Sequence, residues 1–347
     1  MNAPPNAPHI LLIRLSSLGD IVLSTAALAP LRAAGYAVSV VTKSEFASLW
    51  KGHPDIREVY AYDKKIGETE ARQEFLQWAR SKNFAFVLDL QNSWRTWSWR
   101  WALRGMAPVY VLGKPRLREW LVLVFRLGKF FGFGRGGRAR RFRRLAEHAL
   151  AVRGQFAMDS GSLTRLHISD EEKAAVKSLL PAGDFVVLLP GGAWKSKEWP
   201  YFSELAGLLA RKAPVVVLGG ANDNICESVA ASARSVNKES RSLHGKTSLR
   251  ESMAVLAHAR WVIGNDTGMV HVAEALGKDV TMIEGPTHPQ MGFSVYRERS
   301  LVLGLKLACR PCSKSGRICM RFGTRHCLYG LAVSDVTSRL RERGYPC

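Results

Sequence analysis

One acid and two ammonium groups, each beside a loop where a strand gives way to a helix, carry the chemistry that can be read from this sequence. The acid is Asp20, in "RLSSLGDIVLSTAALAPLRAAG", Arg14 to Gly35. The branched apolar run Ile10 to Leu15 ends just before it, and helix-forming residues with apolar positions at helical spacing follow. A carboxylate there has two uses. It can cap the helix, satisfying orphan amides at the positive end of the dipole. It can also face a ligand, because open α/β sheets bind theirs beyond the carboxyl ends of the strands. The motif alone leaves both open.

The ammonium groups are Lys195 and Lys197, in "VVLLPGGAWKSKEWPYFSELAGLL", Val186 to Leu209. This is again strand, glycine-rich loop and helix, with two cations beside backbone flexible enough to approach a phosphate. The spacing is not that of a Walker A loop, which ends in Gly-Lys-Ser/Thr. A second loop, in "VVVLGGANDN", brings Asp223 to a strand end. A third, in "WVIGNDTGMVHVAEALGK", opens a helix whose first amides and dipole suit an anion. Three such loops in one half of the chain point to a phosphate-bearing ligand. No G-x-G-x-x-G follows the first strand, which argues against a dinucleotide dehydrogenase.

The elements that position these residues alternate. Apolar runs of strand length occur at Ile10–Leu15, Val38–Val41, Phe84–Leu88 and Val109–Leu112, then at Phe185–Leu189, Val215–Leu218, Trp261–Ile263 and Val280–Ile283. Helical patterns between them include Tyr201–Lys212, Leu249–Ala259 and Met269–Leu276. Such alternation predicts parallel sheets with helices on both faces. With 347 residues, two domains are expected: an N-terminal one over 1–165 and a C-terminal one over 166–330, joined near Met158–Asp170 and facing a cleft. A last helix within 331–347, about Val333 to Arg343, is expected to pack back on the first domain.

The net charge of +21 calls for an anionic partner. It is concentrated: Trp94 to Arg144 holds 14 Lys or Arg against Glu119 alone. Within that stretch the basic, aromatic insertion Gly113–Arg144 reads as a membrane- or acceptor-binding element or as a solvated loop. The N-terminus has no basic n-region, so no signal peptide is expected, and the protein is placed in the cytoplasm. "WLVLVFRLGKFFGF", Trp120 to Phe133, is too short and too charged to span a bilayer.

The segments "RLSSLGDIVLSTAALAPLR", "DLQNSWR", "PGGAWKSKEWP", "GGANDN", "GNDTGMVHVAEALGK" and "GPTHP", in this order and spacing, resemble the bacterial ADP-heptose:lipopolysaccharide heptosyltransferases, glycosyltransferase family 9, from about Ile10 to Val336. The resemblance implies a GT-B architecture of two Rossmann-like, doubly wound domains. Its N-terminal acceptor-binding domain would take Ser17, Arg95 and Arg100 as acceptor contacts. The C-terminal domain would bind the nucleotide sugar. By the same resemblance Asp20 is the catalytic base of an inverting transfer and Lys197 the leading cation at the departing diphosphate. Lys195, Thr267, Gly268 and Met269 would meet phosphates, Asp266 the donor sugar and Asp223 the ribose, with His271 touching ligand or orienting its turn. No cofactor and no metal are implied. The implied partners are ADP-heptose, a lipid-linked Kdo/heptose acceptor and the inner-leaflet membrane surface. Glu284 and His288 depart from the commoner family pattern near the expected donor pocket.

Two rivals remain beside this reading. One is another sugar nucleotide on the same scaffold. The other is a basic nucleic-acid-binding protein, favoured by the aromatic-basic run Trp94–Trp101 but leaving the phosphate loops unexplained, so no nucleic-acid partner is expected. Cys309, Cys312, Cys319 and Cys327 are spaced C-x2-C-x6-C-x7-C. The first pair has zinc-ligand spacing, and reduced thiols packed together are the alternative.

Overall fold

The computed structural model describes residues 7–63, 65, 67–125, 127–156, 161–313, 315–320 and 323–347. Residues 1–6 of the N-terminal reading, Arg126 in the apolar segment and residues 158–160 of the expected join lie outside these.

The first five strands are β1 (His9–Ile13), β2 (Ala37–Lys43), β3 (Ile56–Tyr62), β4 (Phe84–Asp89) and β5 (Val109–Val111). They form one parallel sheet in the order β3-β2-β1-β4-β5. β1 lies at its centre and is buried from Ile10 to Ile13, as expected of an apolar run covered on both faces. The helix Trp94–Arg104 opens on a capping box between Ser93 and Thr96. It packs inward through Trp99, whose ring lies 4.5 Å from Phe75 and 5.0 Å from Tyr62.

The second series is β6 (Val186–Leu189), β7 (Val215–Val217), β8 (Arg241–Ser242), β9 (Trp261–Asn265), β10 (Val280–Ile283) and β11 (Leu301–Leu303). It is also parallel, in the order β11-β10-β9-β6-β7-β8. Its core gathers Trp199, Phe202, Leu205 and Leu209 with Val333, Val336 and Leu340. The helix Val333–Arg341 therefore packs into the second unit's core, contrary to the expectation that it would return to the first domain. An amphipathic helix goes where its apolar stripe is covered, and this one meets the helix Phe202–Ala210.

The chain divides into a unit of Met1–Pro115 with Arg138–His167 and a unit of Arg116–Gly137 with Ile168–Cys347. The sequence reading kept the whole insertion 113–144 in the first domain. Here its middle belongs to the second unit, as helices Arg116–Val124 and Gly128–Phe131. Phe133 N donates to Gln290 O at 2.9 Å and Gly136 N to Ser294 O at 3.1 Å. Arg135 donates to the carbonyls of Val295, Arg297 and Ser300. A side chain at Gly128 would overlap that of Gln290, so glycine is what lets this segment lie so close.

Gly264 sets the spacing between β9 and β6. A Cβ there would come within 2.8 Å of Leu189 Cβ and of Val270 Cγ2. Gly264→Ala should cost about 1–3 kcal/mol by overpacking, read as a lowered urea midpoint; an unchanged midpoint would show that the sheet can spread without cost.

Candidate active site

In an open parallel sheet the strand order reverses at one place, and the loops leaving the two strands there diverge and leave a crevice. In the first sheet that place is between β1 and β4. The loop after β1 leads to the helix Leu18–Ser24, whose N-cap is Ser17; Asp20 is inside the first turn. The capping use of Asp20 is thereby replaced. Its carboxylate instead meets two guanidinium groups, Arg14 Nη2 at 2.5 Å and Arg138 Nε at 2.6 Å. Arg14 is buried and also donates to Leu90 O at 2.6 Å. Both arginines lie against the ring of buried Phe142, at 5.4 and 6.0 Å. Burial pulls the Arg14 guanidinium below its ordinary value, and the Asp20 charge opposes that shift.

The β4 loop supplies the other wall. Asp89, fully buried, accepts from the amides of Gln91 and Asn92 at 2.9 and 2.8 Å and pairs with Arg100 at 3.4 Å. Burial still holds its carboxyl above the usual range, against the opposing hydrogen bonds and the Arg100 charge. Gln91 Oε1 accepts from Leu15 N and Ser16 N, tying the two loops together. Of the expected acceptor contacts, Ser17 is the N-cap, Arg100 is held by Asp89 and Asn92, and Arg95 pairs with Glu68 at 2.8 Å.

The second sheet reverses between β9 and β6, and the loops there hold the second cluster. Lys197 Nζ lies 2.7 Å from Asp266 Oδ2, which also accepts from Thr287 Oγ1 at 2.8 Å. Burial alone would raise the Asp266 pKa, but the Lys197 ammonium and the Thr287 hydroxyl outweigh it and hold the carboxyl below its usual range. Asn265 locks the same corner, accepting from Trp199 N at 3.1 Å and donating to Pro190 O at 2.5 Å. Thr267 is the N-cap of the helix Gly268–Ala275. Gly268 and Met269 are its first residues, so their amides have no acceptor within the helix; His271, one turn in, is buried.

The structure thus brings Lys197, Asp266, Thr267, Gly268, Met269 and His271 to one corner. Asp223 stands at the neighbouring loop, where its carboxylate accepts from Gly220 N at 2.8 Å. A Cβ at Gly191 would run into that carboxylate, so the loops after β6 and β7 close around it. Lys195 begins the 3-10 turn Lys195–Lys197 and borders a groove of about 430 Å³ with Trp194, Ser196, Arg317, Cys319, Gly323 and Arg325.

Sequence reasoning missed Arg14, Arg138, Thr287, Asn265 and Arg310. Arg14 and Thr287 lie inside the quoted motifs, whereas Arg138 was one cation in an arginine-rich run with nothing to single it out. Buried Arg310 donates to Thr287 O and Leu305 O and stands 3.6 Å from Glu284. Glu284 is itself buried. Burial, with the nearby Asp266 charge, pushes its carboxyl up to about 8, while Arg310 and Lys197 pull the other way. Burial lowers His288 to about 4.

The six cysteines are free thiols. Cys312 Sγ donates to Cys309 O at 3.2 Å, and burial raises the Cys327 thiol to about 11. Among the described residues no three His, Cys, Asp or Glu side chains are grouped to hold a metal ion.

Two of the solved structures that share this fold are similar to the chain over nearly all of its length. One is a glycosyltransferase family 9 protein from Veillonella parvula, TM-score 0.74 at 18% identity, over 99% of this chain and 98% of that one. The other is the E. coli heptosyltransferase WaaC with ADP-2-deoxy-2-fluoro heptose, TM-score 0.66 at 21% identity, over 96% and 99%. Two parallel sheets with their loops gathered at the strand-order reversals are the GT-B fold. Lipopolysaccharide heptosyltransferase 1 of Pseudomonas aeruginosa is 28% identical over 320 residues, 88% of this chain and 86% of that protein. Residues 134–320 match the profile of glycosyltransferase family 9 (heptosyltransferase), and the chain belongs to that family.

The buried acid beside this corner generates a pH prediction. Folded protein keeps Glu284 protonated up to about pH 8, whereas the unfolded chain releases that proton near the ordinary Glu value of about 4.3. Between those values the native state binds more protons, so the group's contribution to stability falls as pH rises. Glu284→Gln removes this loss: the wild type's unfolding free energy should drop relative to the variant's from about pH 5 upward, by at most about 1.4 kcal/mol per pH unit, read as a falling thermal midpoint. Parallel profiles would contradict the assignment.

Proposed function

We propose that this chain transfers heptose from ADP-heptose, with inversion, to the inner core of a lipid-linked Kdo/heptose acceptor at the cytoplasmic face of the inner membrane. The observation that carries the reading is Asp20: a carboxylate at the strand-order reversal of the first sheet, gripped from two sides and left without a capping duty. The Pseudomonas relative is named as a lipopolysaccharide heptosyltransferase and the E. coli structure holds an ADP-heptose analogue, which supports the donor and the acceptor class.

An acceptor hydroxyl is far too weakly acidic to ionise at neutral pH, so its attack on the anomeric carbon needs a base within hydrogen-bond reach. Asp20 takes that proton as the new C–O bond forms on one face of the sugar and the bond to ADP breaks on the other. Arg14 orients the carboxylate from its anchored position. Arg138 occupies one side of the Asp20 carboxylate, and an acceptor phosphate or carboxylate is the natural competitor for its guanidinium. At the other end, ADP departs with growing negative charge. Lys197 has three donors and gives one to the Asp266 carboxylate and one, at 3.5 Å, to the Asp266 carbonyl, which leaves one for the diphosphate. The first amides of the helix Gly268–Ala275 add fixed positive dipole ends where the charge develops.

A membrane-side workplace follows from a lipid-linked acceptor. Among the described residues no helix is long and apolar enough to cross a bilayer. Within the insertion Arg138 pairs with Asp20, Arg143 pairs with Glu147, Arg141 donates to Gly113 O and Arg135 ties down backbone, while Arg140 and Arg144 are exposed.

Asp20→Asn keeps shape and removes the base. Turnover with ADP-heptose should fall roughly 10²- to 10⁴-fold while ADP-heptose affinity stays nearly constant, and Lys197→Ala should lower both. ADP compounds should raise the thermal midpoint more than UDP compounds do. Near-normal turnover in a folded Asp20→Asn protein would remove Asp20 from the chemistry, and preference for UDP-sugars would remove the heptosyl reading.

A further inference from the structure

Three tryptophans on one helix stand largely outside the core of their unit. The helix Trp94–Arg104 buries Thr96, Trp99 and Leu103 against its own unit, while Trp94, Trp97 and Trp101 remain 78%, 54% and 66% exposed. At roughly 100° per residue, positions i, i+3 and i+7 fall within an arc of about 60°. They form a stripe opposite the packed face.

Large aromatics left in water forfeit the burial that usually justifies them. Tryptophan is also the side chain best suited to a bilayer's headgroup level, where its ring meets acyl chains and its indole N–H meets water and ester groups. The local charge fits an anionic surface. The helix carries Arg95, Arg100 and Arg104 and no acid; the first two are held by Glu68 and Asp89, and Arg104 is exposed. The placement fits as well. The loop that starts this helix is bonded to the loop carrying Ser17, through Gln91 Oε1 on Leu15 N and Ser16 N at 3.2 and 3.4 Å. Trp94 therefore stands a few residues from the connection that leads to Asp20.

We infer that the stripe Trp94–Trp97–Trp101 is a membrane-interface contact that seats the first unit on an anionic lipid surface beside the Asp20 loop. Its purpose rests on the proposed lipid-linked acceptor. In solution the stripe is exposed; on the membrane the rings enter the interface while the inner face of the helix stays docked on Phe75 and Tyr62. Binding through the rings adds an apolar component that salt does not screen.

The test uses the full chain with vesicles of phosphatidylethanolamine and phosphatidylglycerol. Replacing Trp94, Trp97 and Trp101 together by Ser should weaken co-sedimentation roughly tenfold or more. Transfer from ADP-heptose to a delipidated, water-soluble acceptor should stay within about twofold. Independently of any variant, phospholipids brominated near the headgroup should quench the emission of the vesicle-bound wild type. Equal vesicle binding by parent and variant, or bound protein whose emission brominated lipid leaves untouched, overturns the inference. So does a variant that loses self-association or nucleic-acid retention without lipid while keeping its vesicle binding. Should neither protein transfer heptose, the glycosyltransferase reading fails while vesicle binding and quenching still decide the stripe.

Discussion

Burying a carboxylate at the end of a parallel strand demands a cation or a set of amides for it, and both sheets of this protein are organised by that demand. Asp20 has Arg14 and Arg138, Asp89 has Arg100 and two loop amides, and Asp266 has Lys197 and Thr287. Where the carboxylate is buried, as at Asp89 and Asp266, removing its cation leaves an uncompensated charge at a cost of about 3–5 kcal/mol, whereas Asp20 is only partly covered. The partners come from different loops and helices, so no loop at either corner can be repositioned alone. Residues that hold the corners together thus include the ones proposed to face the reacting groups.

The two corners solve the demand differently. The Asp20 carboxylate is held by two guanidinium groups, which keep it oriented. At the second corner Glu284 and Asp266 are close enough for each charge to disfavour the other. Asp266 wins the nearby ammonium and stays ionised, whereas Glu284 is the acid that yields, stacked behind Arg310 with its proton retained. An ionised carboxylate beside Lys197 and a neutral one behind it leave the corner less negative than its composition suggests, which is the condition for receiving a diphosphate.

Much of this was legible in the sequence. The eight apolar runs are strands of the sheets, and the loops singled out at Asp20, Lys197 and Asp266 lie at the two strand-order reversals. The strands that were missed are β3, β8 and β11, each next to or at a sheet edge or only a few residues long. β3 reads "IREVYAY" and is only partly covered, so it lacks the continuous apolar signature of the central strands. Partners far apart in sequence were invisible for a different reason. Arg138 in "GRARRFRR" is one arginine among several, and only the approach of its helix to the β1 loop distinguishes it. Likewise an apolar helical stripe such as Val333–Val336–Leu340 announces that it must be covered, not which core covers it.

We propose that transfer by this chain is one direct displacement at an anomeric carbon. The measurement that bears on it most directly is the NMR structure of the product formed from ADP-heptose and a soluble Kdo-terminated acceptor, with ADP release followed in parallel. A direct displacement gives a heptosyl linkage of opposite anomeric configuration to the donor, with ADP and product appearing in equal amounts. A retained configuration, or ADP released without a new linkage, would contradict the account.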